Sequence, residues 1–231
     1  LYDKIIDRYE SRGANEKLYL MGITMQNHGG YGEPYDNFHE DVYKIGRSYT
    51  DANQYLSLLH ESDKALEYLI SYFQSVDDPV EIVFFGDHQP PLGNDFYQML
   101  YKKPLDDRFP REVMKEYETP FFIWANYPLE HTAAATSTTD PLNRMDMVML
   151  TPTLLQQAGL PLSDYYEYLL EMKHNTPVVT AANDYMKVDG TTAEYGADPA
   201  LDEWAKGYLM LEYNNIGAHA KRDQSIFDPA E

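Results

Sequence analysis

Cysteine is absent from the 231 residues, which excludes disulfides, thiolate metal sites and cysteine nucleophiles. Basic side chains are scarce. Against 38 Asp and Glu stand only 18 Lys and Arg, a formal charge of −20. A field of that sign disfavours nucleic acid, whose binding depends on phosphate neutralisation by Lys and Arg. An anionic phosphate group can still be held where a metal ion supplies the local positive charge. No apolar run approaches the roughly 18 residues that cross a bilayer. Leu1-Tyr2-Asp3-Lys4 carries neither an initiator methionine nor a secretory leader, so any targeting segment is expected upstream. Neither a nucleotide-cradling glycine loop nor a Gly-x-Ser-x-Gly elbow occurs.

What is present suits a packed fold. Apolar residues make up 43% and aromatics 14%, enough to bury a core in one domain spanning residues 1–231. Ile5–Ser11 reads as a helix end stopped near Gly13. Lys17–Met25 is an apolar run of strand length leading into the polar, glycine-rich loop Gln26–Gly32. Tyr43–Ser75 carries Tyr55, Leu59, Leu66, Leu69, Ile70 and Phe73 at helical spacing, the stripe of a core-facing helix. Glu81–Phe85 and Thr119–Ala125 are continuous apolar runs bounded by turn residues, as strands covered on both faces of a parallel sheet would be. A charged helical stretch, Pro110–Tyr117, precedes the second run. Further on, Thr151-Pro152 predicts a helix start with Gly159 beyond its end, Ser163 opens another helix to about Lys173, and Asp198-Pro199 caps Leu201–Tyr213. His131–Thr139 reads as a loop. Strands alternating with helices predict an α/β/α sandwich with a mostly parallel central sheet.

Two strand ends carry chemistry. Gly86-Asp87-His88-Gln89-Pro90-Pro91 follows the EIVFF run, and in open α/β sheets ligands bind beyond the carboxyl ends of strands. A carboxylate and an imidazole suit Mn²⁺, Mg²⁺ or Zn²⁺. Gly86 permits the tight turn that brings both side chains to one site. The competing reading is a surface turn. Thr24-Met25-Gln26-Asn27-His28-Gly29-Gly30-Tyr31 ends the earlier run; there His28 reads either as a donor to a substrate phosphate or, on its own the stronger reading, as an exposed histidine in a turn. In a parallel sheet both loops would face the same side.

Ile23-Thr24-Met25-Gln26-Asn27-His28-Gly29 and Phe84-Phe85-Gly86-Asp87-His88-Gln89-Pro90 resemble the paired motifs of lipoteichoic acid synthase-type phosphoglycerol transferases, in the sulfatase branch of the alkaline phosphatase superfamily. The resemblance continues through the Tyr49–Phe73 helix with Asp63, the segment Thr119–Asn126, Leu154–Leu162 and Leu211–Asn215. It implies an alkaline phosphatase/sulfatase-like α/β fold, here the carboxy-terminal portion of an extracellular catalytic domain that is incomplete at its N-terminal side. It implies a membrane enzyme, anchored by N-terminal transmembrane helices, that moves glycerol phosphate from phosphatidylglycerol to a glycolipid or teichoic-acid acceptor. The intermediate is covalent, on a threonine. The resemblance makes Asp87 and His88 ligands of Mn²⁺ or Mg²⁺ and His28 the histidine that contacts the substrate phosphate.

The glutamate ligand and the nucleophilic threonine of that pattern have no counterpart in this chain and are expected upstream. Half a metal site implies that the polypeptide alone is catalytically incompetent. Asn27 and Arg47 are weaker candidates for substrate contact, and Glu33 and Asp36 follow the His28 loop. His39, His60, His131, His174 and His219 read as structural or exposed. Alternatives on the same scaffold are a sulfatase, a phosphodiesterase or a phosphoethanolamine transferase, and from another class a non-catalytic exported binding domain.

Overall fold

The computed structural model describes residues 1–33, 35–42, 48–129, 144–179 and 184–229, in two compact units, 1–126 and 127–231. Arg47 and the expected loop His131–Thr139 lie outside the described residues.

In the first unit the elements run α1 (Tyr2–Glu10), α2 (Thr50–Gln74), β1 (Glu81–Phe85), α3 (Asn94–Tyr101), α4 (Pro110–Met114) and β2 (Phe121–Ala125). The apolar stripe of α2 does what its spacing predicts. Leu69 and Phe73 bury against Ile6 of α1, with Ile82 of β1 and Trp124 of β2 packed on them. Burial of each such side chain contributes ~1.5–3 kcal/mol. Tyr9 meets Phe73 edge-on at 5.1 Å. A polar clasp terminates the helix. Asn126, just after β2, donates from Nδ2 to the carbonyls of Phe73 (3.2 Å), Val76 (3.1 Å) and Asp78 (2.8 Å). Its Oδ1 accepts from Val80 N at 2.9 Å. One amide thus satisfies orphan carbonyls at the helix end and aligns the entry to β1.

The α/β class holds, with three local corrections. First, β1 and β2 pair antiparallel, Val83 opposite Ile123 and Phe85 opposite Phe121, where parallel neighbours were expected. An apolar run reports coverage of both faces and carries no information on direction. Second, Lys17–Met25 joins no strand; it is extended but unpaired among the described residues. Most of it is exposed, with Tyr19 at 87%, Leu20 43%, Met21 68%, Ile23 71% and Met25 64% accessible. Third, the stretch read as helical with room for one break is non-helical at Ser48 and Tyr49, and α2 runs from Thr50.

The second unit contains α5 (Leu150–Gln157), α6 (Asp164–Asn175), β3 (Val178–Val179), β4 (Asp184–Met186), β5 (Thr192–Glu194) and α7 (Pro199–Glu212). The three strands form an antiparallel meander in sequence order. Two caps follow the sequence: Ser163 Oγ accepts from Tyr166 N, and Asp198 from Ala200 N ahead of Pro199. Gly159 takes φ +66° and closes α5, with Gly159 N bonded to Gln156 O and Leu160 N to Leu155 O. The start of α5 differs. A single 3₁₀ turn at Met147–Met149 precedes it, capped by Asp146, so Thr151 lies inside the helix.

Candidate functional site

Asp87 and His88 stand where β1 ends, and the beginning of β2 supports them. Gly86 N donates to Pro120 O at 3.0 Å, and Thr119 Oγ1 returns a bond to Gly86 O at 2.8 Å. Gln89 Nε2 donates to Glu118 O. Space at Gly86 is tight, since an added Cβ would lie 3.0 Å from Thr119 Cβ. The antiparallel pairing therefore buttresses the turn from the strand that starts beside it.

The side chains fit a hard divalent cation. His88 Nδ1 lies 2.9 Å from Gln89 O; a carbonyl only accepts, so Nδ1 is the donor there and Nε2 is the ring nitrogen left to face a metal. Nε2 then sits 3.5 Å from Asp87 Oδ2, close to the ~3 Å edge of a coordination shell with ligands at about 2.1 Å. Orientation of a ligating imidazole by its other nitrogen is the usual arrangement at metal centres. Both side chains are open, at 83% exposure for Asp87 and 65% for His88. Asp87 Oδ1 also accepts from His88 N at 2.9 Å, leaving Oδ2 as the outward oxygen.

The Gln26–Gly32 loop comes next to this turn. At Gly29 an added Cβ would lie 3.4 Å from Pro91 Cγ, and Gly30 and Gly32 hold φ of +112° and +97°, which favour glycine. Beneath them Tyr49, Ala52, Leu92 and Phe96 form a small core with Tyr31, Tyr55 and Tyr97 packed on it. His28 itself is exposed, its Nδ1 3.3 Å from Gly29 O. Asn27 points inward, accepting at Oδ1 from Ser62 of α2 at 3.0 Å. Gln26 Nε2 bonds Ser62 Oγ at 3.2 Å and Leu58 O at 3.4 Å.

The next stretch of chain is held by buried polar side chains of α2. Gln54 accepts from Gly32 N and donates to Glu33 O. Ser57 Oγ accepts from Asp41 N and Val42 N and donates to Val42 O. Both are buried. The result is an open cleft of about 700 Å³ that His28 helps line, with Tyr31, Tyr35, Asn37, His39 and Glu61.

The structure thus brings Asp87, His88 and the His28 loop to adjacent turns, and assigns Asn27 to holding that loop. Sequence reasoning missed Gln54, Ser57 and Ser62. Polar residues on a helix face read as solvated; backbone groups of Gly32, Glu33, Asp41 and Val42 explain the burial of Gln54 and Ser57, and the side chains of Gln26 and Asn27 explain Ser62. His60, read as structural or exposed, is half-exposed and tied to Asp41. Asp41, His60 and Glu61 bring ligand atoms within 4.8 Å of one another. His60 Nδ1 lies 2.9 Å from Asp41 Oδ2, while Lys64 Nζ lies 2.6 Å from Glu61 and 3.7 Å from Asp41. The Glu61 hydrogen bond holds the Lys64 ammonium above its ordinary pKa, so this group already has its cation.

A putative cyclic β-1,2-glucan modification protein of Rhizobium meliloti (strain 1021) is 23% identical over 209 residues, covering 87% of this chain and 31% of that protein. The phosphoethanolamine transferase EptA of Helicobacter pylori is 25% identical over 144 residues, covering 57% and 26%. The chain thus spans about a third or less of these relatives' length. Streptococcus pyogenes phosphoglycerol transferase GacH, solved in complex with sn-glycerol-1-phosphate, has the same fold. Its TM-score is 0.67 at 20% identity, over 99% of this chain and 52% of that one. Residues 1–160 match the Sulfatase family model, and the chain belongs to the sulfatase family.

Proposed function

We propose that this chain is part of a metal-dependent phosphoglycerol transferase, moving glycerol phosphate from a phosphatidylglycerol-type lipid to a saccharide-containing acceptor of the cell envelope. The carrying observation is the pairing of Asp87 Oδ2 with a His88 ring whose Nδ1 is committed to Gln89 O, at a strand end beside the His28 loop. Kinship with GacH and with the glucan modification protein supports the donor group and the class of acceptor respectively.

Asp87 and His88 would hold Mn²⁺ or Mg²⁺, which when bound lowers the pKa of an attacking hydroxyl and screens the phosphodiester charge. His28, exposed at the cleft, donates to the phosphoryl oxygens or protonates the departing oxygen. Asn27 fixes the loop from which His28 reaches. Arg47 is a further candidate phosphate partner. Asp87 and His88 make two ligands, a weak site on their own. A glutamate and a nucleophilic threonine would come from sequence preceding Leu1, together with the anchoring transmembrane helices, with the catalytic domain on the extracellular face. No helix among the described residues is long and apolar enough to cross a membrane. On this reading, residues 1–231 are the carboxy-terminal portion of one catalytic domain and do not turn over alone.

Similarity to EptA favours phosphoethanolamine transfer as the second reading. Both are decided by incubating the intact gene product with phosphatidylglycerol or phosphatidylethanolamine vesicles and Mn²⁺, and measuring diacylglycerol release. Release from phosphatidylglycerol, reduced at least ~100-fold by Asp87→Ala or His88→Ala, is expected. Release from phosphatidylethanolamine alone selects the second reading, and release from neither overturns both.

A further inference from the structure

We propose that the cleft between the His28 loop, residues 35–39 and α2 is a binding site for a neutral saccharide. It is the place where the acceptor of the transfer proposed above sits, and in that respect it rests on that reading. Beside the hollow of about 700 Å³ is a second of about 460 Å³, and Tyr35, Phe38, His39 and Gln54 line both. Volumes of this order suit small ligands, a disaccharide among them.

The chemistry of the walls selects the ligand. Tyr35 is 50% exposed, and its ring offers an apolar face of the kind the C–H face of a pyranose covers. Asn37 and His39 are exposed side chains on the same wall. Among the described residues none of Tyr35, Asn37 and His39 spends a side-chain donor or acceptor on the protein. An amide, an imidazole and a phenol together donate and accept, as neighbouring hydroxyls require. Gln54, by contrast, is committed to Gly32 and Glu33. These ties, with Ser57 on residues 41 and 42, hold the wall in place before a ligand arrives, which lowers the ordering cost of binding.

Rival occupants fit worse. The lining contains Glu61, Glu33 and Asp36 and no Lys or Arg among the described residues, so a free anion meets a repulsive field. A cation finds the nearby Asp41–His60–Glu61 group already bridged by Lys64. A neutral polyol pays neither penalty. His28 lines this cleft and stands in the loop beside the Asp87-His88 turn, so a bound sugar hydroxyl lies on the approach to the phosphoryl group. In the transfer, that hydroxyl oxygen forms the new P–O bond, the bond from phosphorus to its carrier oxygen breaks, and the proton passes to the departing oxygen.

The test is a titration of the ¹⁵N-labelled chain with β-1,2- and β-1,4-linked glucose disaccharides, and separately with Mn²⁺. Saturable shifts at Tyr35, Asn37 and His39 are expected, with Kd near ~1 mM. Tyr35→Ala and Asn37→Ala should each raise Kd about 5–10-fold, and Tyr35→Phe should retain most of the affinity. Tyr117→Ala, an exposed tyrosine outside the cleft, is the control and should bind as the parent does. Absence of saturable shifts, or equal affinity in parent and Tyr35→Ala, overturns the saccharide site. Mn²⁺ broadening at Asp87 and His88 is read independently. If sugar binds and Mn²⁺ leaves those resonances untouched, the metal-dependent reading fails while the saccharide site stands; the reverse result sinks the site alone.

Discussion

Ser62 of α2 and Asn27 of the histidine loop are joined by a single 3.0 Å hydrogen bond across 35 positions of sequence. Gln26 adds its amide to the same hydroxyl, so one serine fixes the two residues immediately before His28. Replacing it with alanine leaves Asn27 Oδ1 without its donor. Ser62→Ala should cost ~0.5–1.5 kcal/mol and speed amide exchange at His28 and Tyr31, whereas Ser62→Thr should restore protection. Unchanged exchange in Ser62→Ala would show that the loop is held by other means.

Asn126 faces three carbonyl oxygens with its amide nitrogen, so the sign of the group matters more than its size. Asn126→Ala should lose ~1–3 kcal/mol by orphaning Val80 N and the helix-end carbonyls. Asn126→Asp should be worse at neutral pH, because a carboxylate replaces the donor. Its folded pKa would rise, so the stability present at acid pH is lost as pH climbs through that raised value. Urea midpoints relative to the parent at pH 4 and pH 7 measure both effects; equal midpoints for Asn126→Asp and Asn126→Ala at both pH values would refute the carbonyl contact.

At Gly86 the constraint is space, an added Cβ falling 3.0 Å from Thr119 Cβ. Gly86→Ala should cost ~1–3 kcal/mol through displaced backbone and shift the amide resonances of Asp87 and His88. A folded variant with parental stability and unmoved resonances would contradict this account of the turn.

Lys173, in the second unit, is partly buried, and desolvation lowers its pKa. Its ammonium reaches Thr153 Oγ1 at 3.2 Å, while that hydroxyl already donates to Met149 O at 2.7 Å. Lys173→Met should therefore stabilise the chain, raising the midpoint by about 1–3 °C near neutral pH. The sign follows from linkage. With a depressed folded pKa, full stability is present above the unfolded value of about 10.4 and is lost as pH falls through the folded value. The advantage of methionine should fade in alkaline buffer; an advantage that grows with pH would reverse the argument.

Much of this was legible in the sequence, for reasons that differ by element. The α2 stripe, the caps at Ser163 and Asp198 and the Gly159 stop follow from local rules that tertiary context did not override. Asp87-His88 stood out because a glycine and two ligand-type side chains directly followed an apolar run. Strand direction was not legible, since Phe84 and Phe122 stack across an antiparallel pair yet would be equally apolar in a parallel one. Gln54 and Ser57 were hidden for a related reason. Their role is set by backbone groups of Gly32, Glu33, Asp41 and Val42, which lie outside helix and strand and leave no periodic trace.

The unpaired Lys17–Met25 segment has a practical consequence. Its residues from Tyr19 to Met25 are all exposed, and among the described residues only Met25 O accepts a backbone hydrogen bond in that stretch. Such an edge invites strand addition from a second molecule. Repulsion between copies carrying a charge of −20 opposes that encounter, and its reach shrinks from ~30 Å in 0.01 M salt to ~8 Å in 0.15 M. Colloidal behaviour is therefore governed by the buffer: dilute salt keeps molecules apart, and physiological salt brings edge to edge.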